Sequence, residues 1–302
     1  MIKIYVFFFC FFVLLSGARA ELVEITPSDV YGLVMQIDKE IDLLKKHFGI
    51  SREKKSDIYN ADLFPRHVWG KTYLIMIKIN VLRHKLGLPR NAPNYMEPEL
   101  DLSPGLVFEQ GRRLLAELQI LKKHLGITAE AGAMQEFSGK RPIDVFNKLH
   151  HISYQLDVLN DEEIDPDYVF AEVMRIQEDI VTILRSLQLR DKTYPPAKKN
   201  EVNSADSLQA AFALMTEIQR LQRNTSIIRT DFSVFHKEKD VLPSDVFNMV
   251  SMCLAELQTF KAYMELKHLV TPPAAYQENK SPNDVHQLLR WTRRMLRQIR
   301  RL

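Results

Sequence analysis

Five carboxylates occupy one repeated position in this 302-residue chain: Glu40, Glu117, Asp179, Glu217 and Glu256. Each stands ten residues after a recurring helix-start mark. Acids converging inside a helical assembly would bind a cation. However, Lys78 holds the same position in one unit, and no unit carries the inward Glu-x-x-His pair of carboxylate-bridged metal bundles. The position borders the core stripe, where charged flanks commonly face water. These acids are therefore expected to be a solvated flank, with no metal or cofactor.

A second concentration of charge closes the chain: Arg290, Arg293, Arg294, Arg297, Arg300 and Arg301, with no acid among them. Cations suit the negative end of a helix dipole. The same strip would also serve as an anion-binding edge for phospholipid headgroups, a polyanion or an acidic partner. Tyrosines recur in the connections, at Tyr59, Tyr95, Tyr194 and Tyr276, three of them near prolines. One reading has each ring pack back and pin its loop. The other has them form a ligand surface, because loops often carry function.

Other chemistry is thin. His150 and His151 are adjacent, but successive helical residues point about 100° apart and do not grip one metal together. His47 and His124 share a repeat position beside a helix stop, without the spacing of a metal site. There is no Gly-rich phosphate loop, no His-Glu-x-x-His and no Cys-x-x-Cys-His. Cys253 falls on the apolar stripe and reads as a small core residue.

The elements that position these residues follow from a repeat. The helix-start marks are Val30, Val68, Val107, Val145, Val169, Ser207, Val246 and Val285, separated by 38, 39, 38, 24, 38, 39 and 39 residues. The first four map onto the last four with offsets of 139, 139, 139 and 140. A fixed period indicates one supersecondary unit copied. Three residues before the mark stands a proline, in every unit but the sixth, where Ser204 replaces it. Proline suits the first helical position, where its missing N–H is not needed. Asp29, Asp144, Asp206, Asp245 and Asp284 precede their marks, placed to reach back to the N-cap. Apolar residues follow at steps of four and three, as in Val30, Val34, Ile37, Ile41, Leu44 and Phe48, a single stripe. Gly49, Gly87 and Gly126, preceded by Lys and His, mark left-handed helix stops. A helix from proline to stop is ~31 Å long.

Eight such helices predict an all-α protein: two tandem four-helix bundles, residues 21–163 and 164–302, arising by internal duplication of four repeats of ~39 residues. The linker Asn160-Asp161-Glu162-Glu163 is short and suits a fixed or hinge-limited pair. The connections within each half, 13 to 18 residues, are long for bundles. Chains of that length span a whole helix, so consecutive helices are free to run parallel.

Residues 1–20 read as a cleaved signal peptide: Lys3, an apolar run from Ile4 to Leu15, then Ala18-Arg19-Ala20. Beyond them the net charge is +1, which excludes a global pull toward nucleic acid. The expectation is an exported protein, most consistent with a bacterial periplasm. It would be a non-enzymatic binding or scaffold module of the cell envelope whose protein or small-molecule ligand is unspecified. The alternatives are a metal or small-molecule binding protein or enzyme with a site between the bundles, and a membrane-surface adaptor using the arginine helix.

Overall fold

A computed structural model describes residues 24–90, 102–266, 274 and 276–299. The expected signal peptide, Tyr95, Arg300 and Arg301 lie outside the described residues. The described residues form eight α-helices and one short 3-10 turn, with no strand: α1 (Pro27–His47), α2 (Pro65–Lys85), α3 (Pro104–His124), α4 (Pro142–Asn160), α5 (Pro166–Ser186), α6 (Ser204–Gln222), α7 (Pro243–Tyr263) and α8 (Pro282–Leu296). The protein is all-α.

Every helix starts where the proline or Ser204 stands. The aspartate before the mark closes the N-terminus by accepting from the N-cap backbone N–H: Asp29 from Thr26 at 2.8 Å, Asp144 from Arg141 at 2.8 Å, Asp206 from Asn203 at 3.1 Å, Asp245 from Leu242 at 2.9 Å and Asp284 from Ser281 at 3.0 Å. This half of the capping box works even where the N-cap is Arg or Leu, because it needs only backbone there. At the other ends Gly49, Gly87 and Gly126 take φ of 66°, 76° and 69°. The following N–H groups reach back to Lys45, Arg83 and Lys122 carbonyls at 2.9 Å, the Schellman closure. The apolar stripe is buried from Val30 to Leu44, but Phe48 is 40% exposed. The helix has already ended at His47, so the stripe loses its last step to the cap.

Helix direction follows from which residues meet. The first proline and mark valine of all four helices α1–α4 line one apolar hollow: Pro27 and Val30, Pro65 and Val68, Pro104 and Val107, Pro142 and Val145. The four N-termini therefore share one end, and the helices run parallel. The equivalent residues of α5–α8, from Pro166 and Val169 to Pro282 and Val285, line a second hollow. Around the first axis α1 and α2 each pack on α3 and α4; around the second, α5 and α6 each pack on α7 and α8. Parallel helices oblige each connection to return along a whole helix, which accounts for the long loops.

The two groups meet through α2 and α7. Arg66 reaches Glu256, Gly70 faces Ser251 and Lys71 reaches Asn248, so numbers rise on α2 as they fall on α7. The groups therefore lie antiparallel to one another. Gly70 permits the approach, since a Cβ there would lie 2.7 Å from the Cβ of Ser251.

Candidate functional site

The repeated acids are not a solvated flank. Glu40, Asp179, Glu217 and Glu256 are buried, and Glu117 is largely so. Parallel register is the cause. It sets four of these acids, Glu40, Glu117, Asp179 and Glu256, beside the residue fifteen after the mark on the neighbouring helix, whereas Glu217 is held by Arg297 and Arg220. Lys45 of α1 donates to Gln155 of α4 at 2.6 Å, and Asn160 of α4 to the Lys78 carbonyl on α2 at 3.0 Å. Arg83 of α2 donates to Glu117 of α3 at 2.7 Å, and Lys122 of α3 to Glu40 of α1 at 2.6 Å. The circuit closes on itself. In the second group Gln222 of α6 donates to Glu256 of α7 at 2.9 Å, and Lys261 of α7 to Asp179 of α5 at 2.6 Å. Each acid is held by its own neighbour, and the acids do not converge. Among the described residues no group of three His, Cys, Asp or Glu side chains is placed to hold a metal ion.

The densest titratable cluster lies between the groups. Lys71 Nζ, on α2, sits 2.9 Å from His150 Nδ1 on α4 and donates to Asn248 Oδ1 on α7 at 3.0 Å. Both Lys71 and His150 are 1% exposed. Burial, with Lys78 adding repulsion, holds the Lys71 amine well below the ordinary lysine range. Burial and the nearby lysines likewise hold His150 well below the ordinary histidine range. Lys71 Nζ and His150 Nδ1 share this hydrogen bond, and Nε2 on the other side of the ring is buried without a partner among the described residues. Tyr154 donates to Asp245 Oδ1 at 3.4 Å, and Lys237 lies 3.3 Å from the other oxygen of Asp245. Burial, then the Asp245 charge, raises the phenols of Tyr59 and Tyr154.

An amine whose protonation burial disfavours, beside an imidazole and two phenols, is a set that enzymes use for amine nucleophiles and proton transfer. A substrate needs room, however. The cavity alongside, between Tyr59, Phe146, Phe235, Asn248 and Met252, measures about 10 Å³, at the lower limit for a single water. The Tyr59 ring packs tilted 4.5 Å from Phe235 and 5.3 Å from His150, closing the way in.

A second junction cluster involves a departure from the repeat. Where five of the eight units have an aspartate before the mark, α2 has His67. Its Nδ1 accepts from the Phe64 N–H at 3.1 Å, which replaces the aspartate as cap. Its Nε2 then carries the proton to Glu256 Oε1, 2.8 Å away on the other group. Burial acts to raise the Glu256 carboxyl, but His67, Arg66 and Gln222 outweigh it and hold the group down at about 2.

The residues singled out from sequence are dispersed. α8 ends at Leu296, short of the whole arginine run. Arg297 donates to Glu217 Oε1 of α6 at 2.7 Å, Arg293 lies 3.7 Å from the same oxygen, and Arg294 donates to the Tyr194 carbonyl at 3.3 Å. Arg290 is half-buried. The acid missing from the run is thus supplied by another helix. Tyr59 is packed into the junction. Tyr276 donates to Asp167 at 3.2 Å and lies 5.2 Å from Tyr168, while the Tyr194 ring is 81% exposed. Cys253 is fully buried.

Lys71, His150 and His67 carry the junction, and on α2 the sequence marks only His67, where Asp is usual, and Lys78, where an acid is usual, as breaks in the repeat. The chain matches no family model, no curated protein and no solved structure.

Proposed function

We propose that this chain is an exported, non-enzymatic scaffold or binding module of the cell envelope, built as two tandem four-helix bundles from an internal duplication. The duplication is supported by the constant offset between the halves and by the same donor-to-acid step around both helix groups. Export is supported by the charge, apolar run and small-residue pattern of residues 1–20.

One observation carries the non-enzymatic reading. The side chains best suited to chemistry, Lys71 and His150, are sealed in the joint between the two groups beside a cavity of about 10 Å³. There they donate and accept between α2, α4 and α7, and so fix the groups relative to one another. A neutral lysine open to a carbonyl substrate forms an imine that borohydride reduces to a stable adduct. Treatment of the folded protein with pyruvaldehyde and borohydride, followed by peptide mapping, is expected to modify surface lysines and leave Lys71 untouched. Rapid, selective labelling of Lys71 would overturn the scaffold reading in favour of an enzyme site between the groups.

A further inference from the structure

The connection between α5 and α6, residues 187–203, returns along α8 as a strap. Gln287 donates to the Pro196 carbonyl at 2.6 Å, Trp291 to Thr193 Oγ1 at 3.0 Å and Arg294 to the Tyr194 carbonyl at 3.3 Å, while Gln298 accepts from the Lys192 N–H at 3.0 Å. These four residues of α8 and its C-terminal turn follow at steps of four, three and four, so they form one stripe turned away from the core.

Strap and helix together carry a surplus of positive charge. Arg190, Lys192, Lys199, Arg290 and Arg294 have no ion pair among the described residues. The acids of the strap are Asp191 and Glu201, and the one acid of α8, Asp284, is paired with Lys198 at 2.6 Å. Arg293 and Arg297 are turned to Glu217 and add nothing to this surplus. The arginine run read from sequence thus supplies two of the five unpaired cations, and the strap supplies three.

An aromatic ring projects from the same face. The backbone of Tyr194 is clamped to Arg294, with Thr193 and Pro196 fastened on either side, yet its ring is 81% exposed. The tyrosines of two other connections turn inward, Tyr59 to Phe235 and Tyr276 to Asp167. Leu189, earlier in the strap, is exposed as well. A soluble polyanion calls for cations alone. Cations around a rigidly held, outward tyrosine match an interface where phosphates overlie an apolar layer, the depth at which tyrosine settles in bilayers.

We infer that this face of α8 and its strap docks on an anionic phospholipid surface, the five cations over the headgroup phosphates and the Tyr194 ring within the headgroup layer. The inference does not rest on the scaffold reading, because the face lies on the second helix group and takes no part in the junction.

The test is co-sedimentation of residues 21–302, which hold all eight helices, with vesicles of phosphatidylcholine alone and of phosphatidylcholine with an equal part of phosphatidylglycerol. Binding is expected only with phosphatidylglycerol, and it should weaken as salt rises. The side chains of Arg190, Lys192 and Lys199 hold no hydrogen bond or ion pair among the described residues, so changing all three to Gln should leave the fold intact. That triple variant is expected to partition about tenfold less or lower. Removing as much charge from the first group, as Lys46→Gln, Arg113→Gln and Lys123→Gln, is expected to change partitioning by less than about twofold. Tyr194→Ala should weaken vesicle binding severalfold and leave any binding to soluble polyphosphate unchanged. Equal binding to both kinds of vesicle, or none to either, overturns the proposal, as does an equal loss in the two triple variants. Full vesicle binding by Tyr194→Ala also overturns it, and would make the partner of this face a soluble polyanion.

Discussion

At the scale of single residues, the junction sets bases whose protonation burial disfavours beside a carboxylate that its neighbours keep ionised. Lys71 has its folded-state pKa well below the ordinary 10.5. Between that lowered value and 10.5 the unfolded chain binds more protons than the folded one, so stability rises with pH across that window. His150 and His67, both lowered from 6.5, act in the same sense below that value. Glu256, lowered from 4.5 to about 2, contributes stability that is complete above 4.5 and is lost as pH falls through 2. Buried Cys253, raised from 9.0, acts in the opposite sense above 9, so urea unfolding is expected to show stability climbing as pH rises toward 9, and Lys71→Met should flatten that climb. A slope in Lys71→Met equal to wild type would mean that the buried amine is not what titrates. None of this was legible from residue types alone. The repeated acids were read as solvated because a flank position faces water in most bundles, and only the register between parallel helices brings a donor to each.

At the scale of elements the sequence was far more explicit. Proline, aspartate and the mark residue each act within one turn, through backbone geometry that needs no tertiary partner, and the helices begin at those residues. Helix stops were legible only where glycine announced them. α5 and α7 end in the same closure, with Leu189 N–H to the Leu184 carbonyl at 2.8 Å and Leu266 N–H to Lys261 at 2.9 Å. Their left-handed positions are Gln188, φ 56°, and Glu265, φ 60°. A side chain bearing Cβ is strained there, and glycine is not. Gln188→Gly and Glu265→Gly should each stabilise the protein by about 0.5–1 kcal/mol. Thermal melts of the two variants and their pair check this, and a lowered melting temperature would show that these side chains do more than occupy the cap.

At the scale of the molecule, parallel packing creates a problem that the second group answers. Four aligned helices sum their dipoles, placing roughly two positive charge equivalents at one end of a group and two negative at the other. Side by side and antiparallel, the groups set opposite ends together, so the attraction between them offsets the repulsion within each. Direction was open in the sequence because the loop lengths permit parallel helices without requiring them. The contact on which the arrangement depends is the approach of α2 to α7 at Gly70 and Ser251. In Gly70→Ala the new methyl would meet the Ser251 Cβ at 2.7 Å, and both atoms belong to helices that are themselves fixed in their groups. Overpacking of this kind costs about 1–3 kcal/mol. The strain should also lengthen the Arg66–Glu256 and Lys71–Asn248 contacts that lie to either side. Removing the opposing Cβ, as Gly70→Ala with Ser251→Gly, relieves the clash between the helices and should recover most of the loss, less the Ser251 hydroxyl's contact with Glu172. A double variant no more stable than Gly70→Ala alone would show that the groups are held together elsewhere, and that the dipole pairing does not depend on this seam.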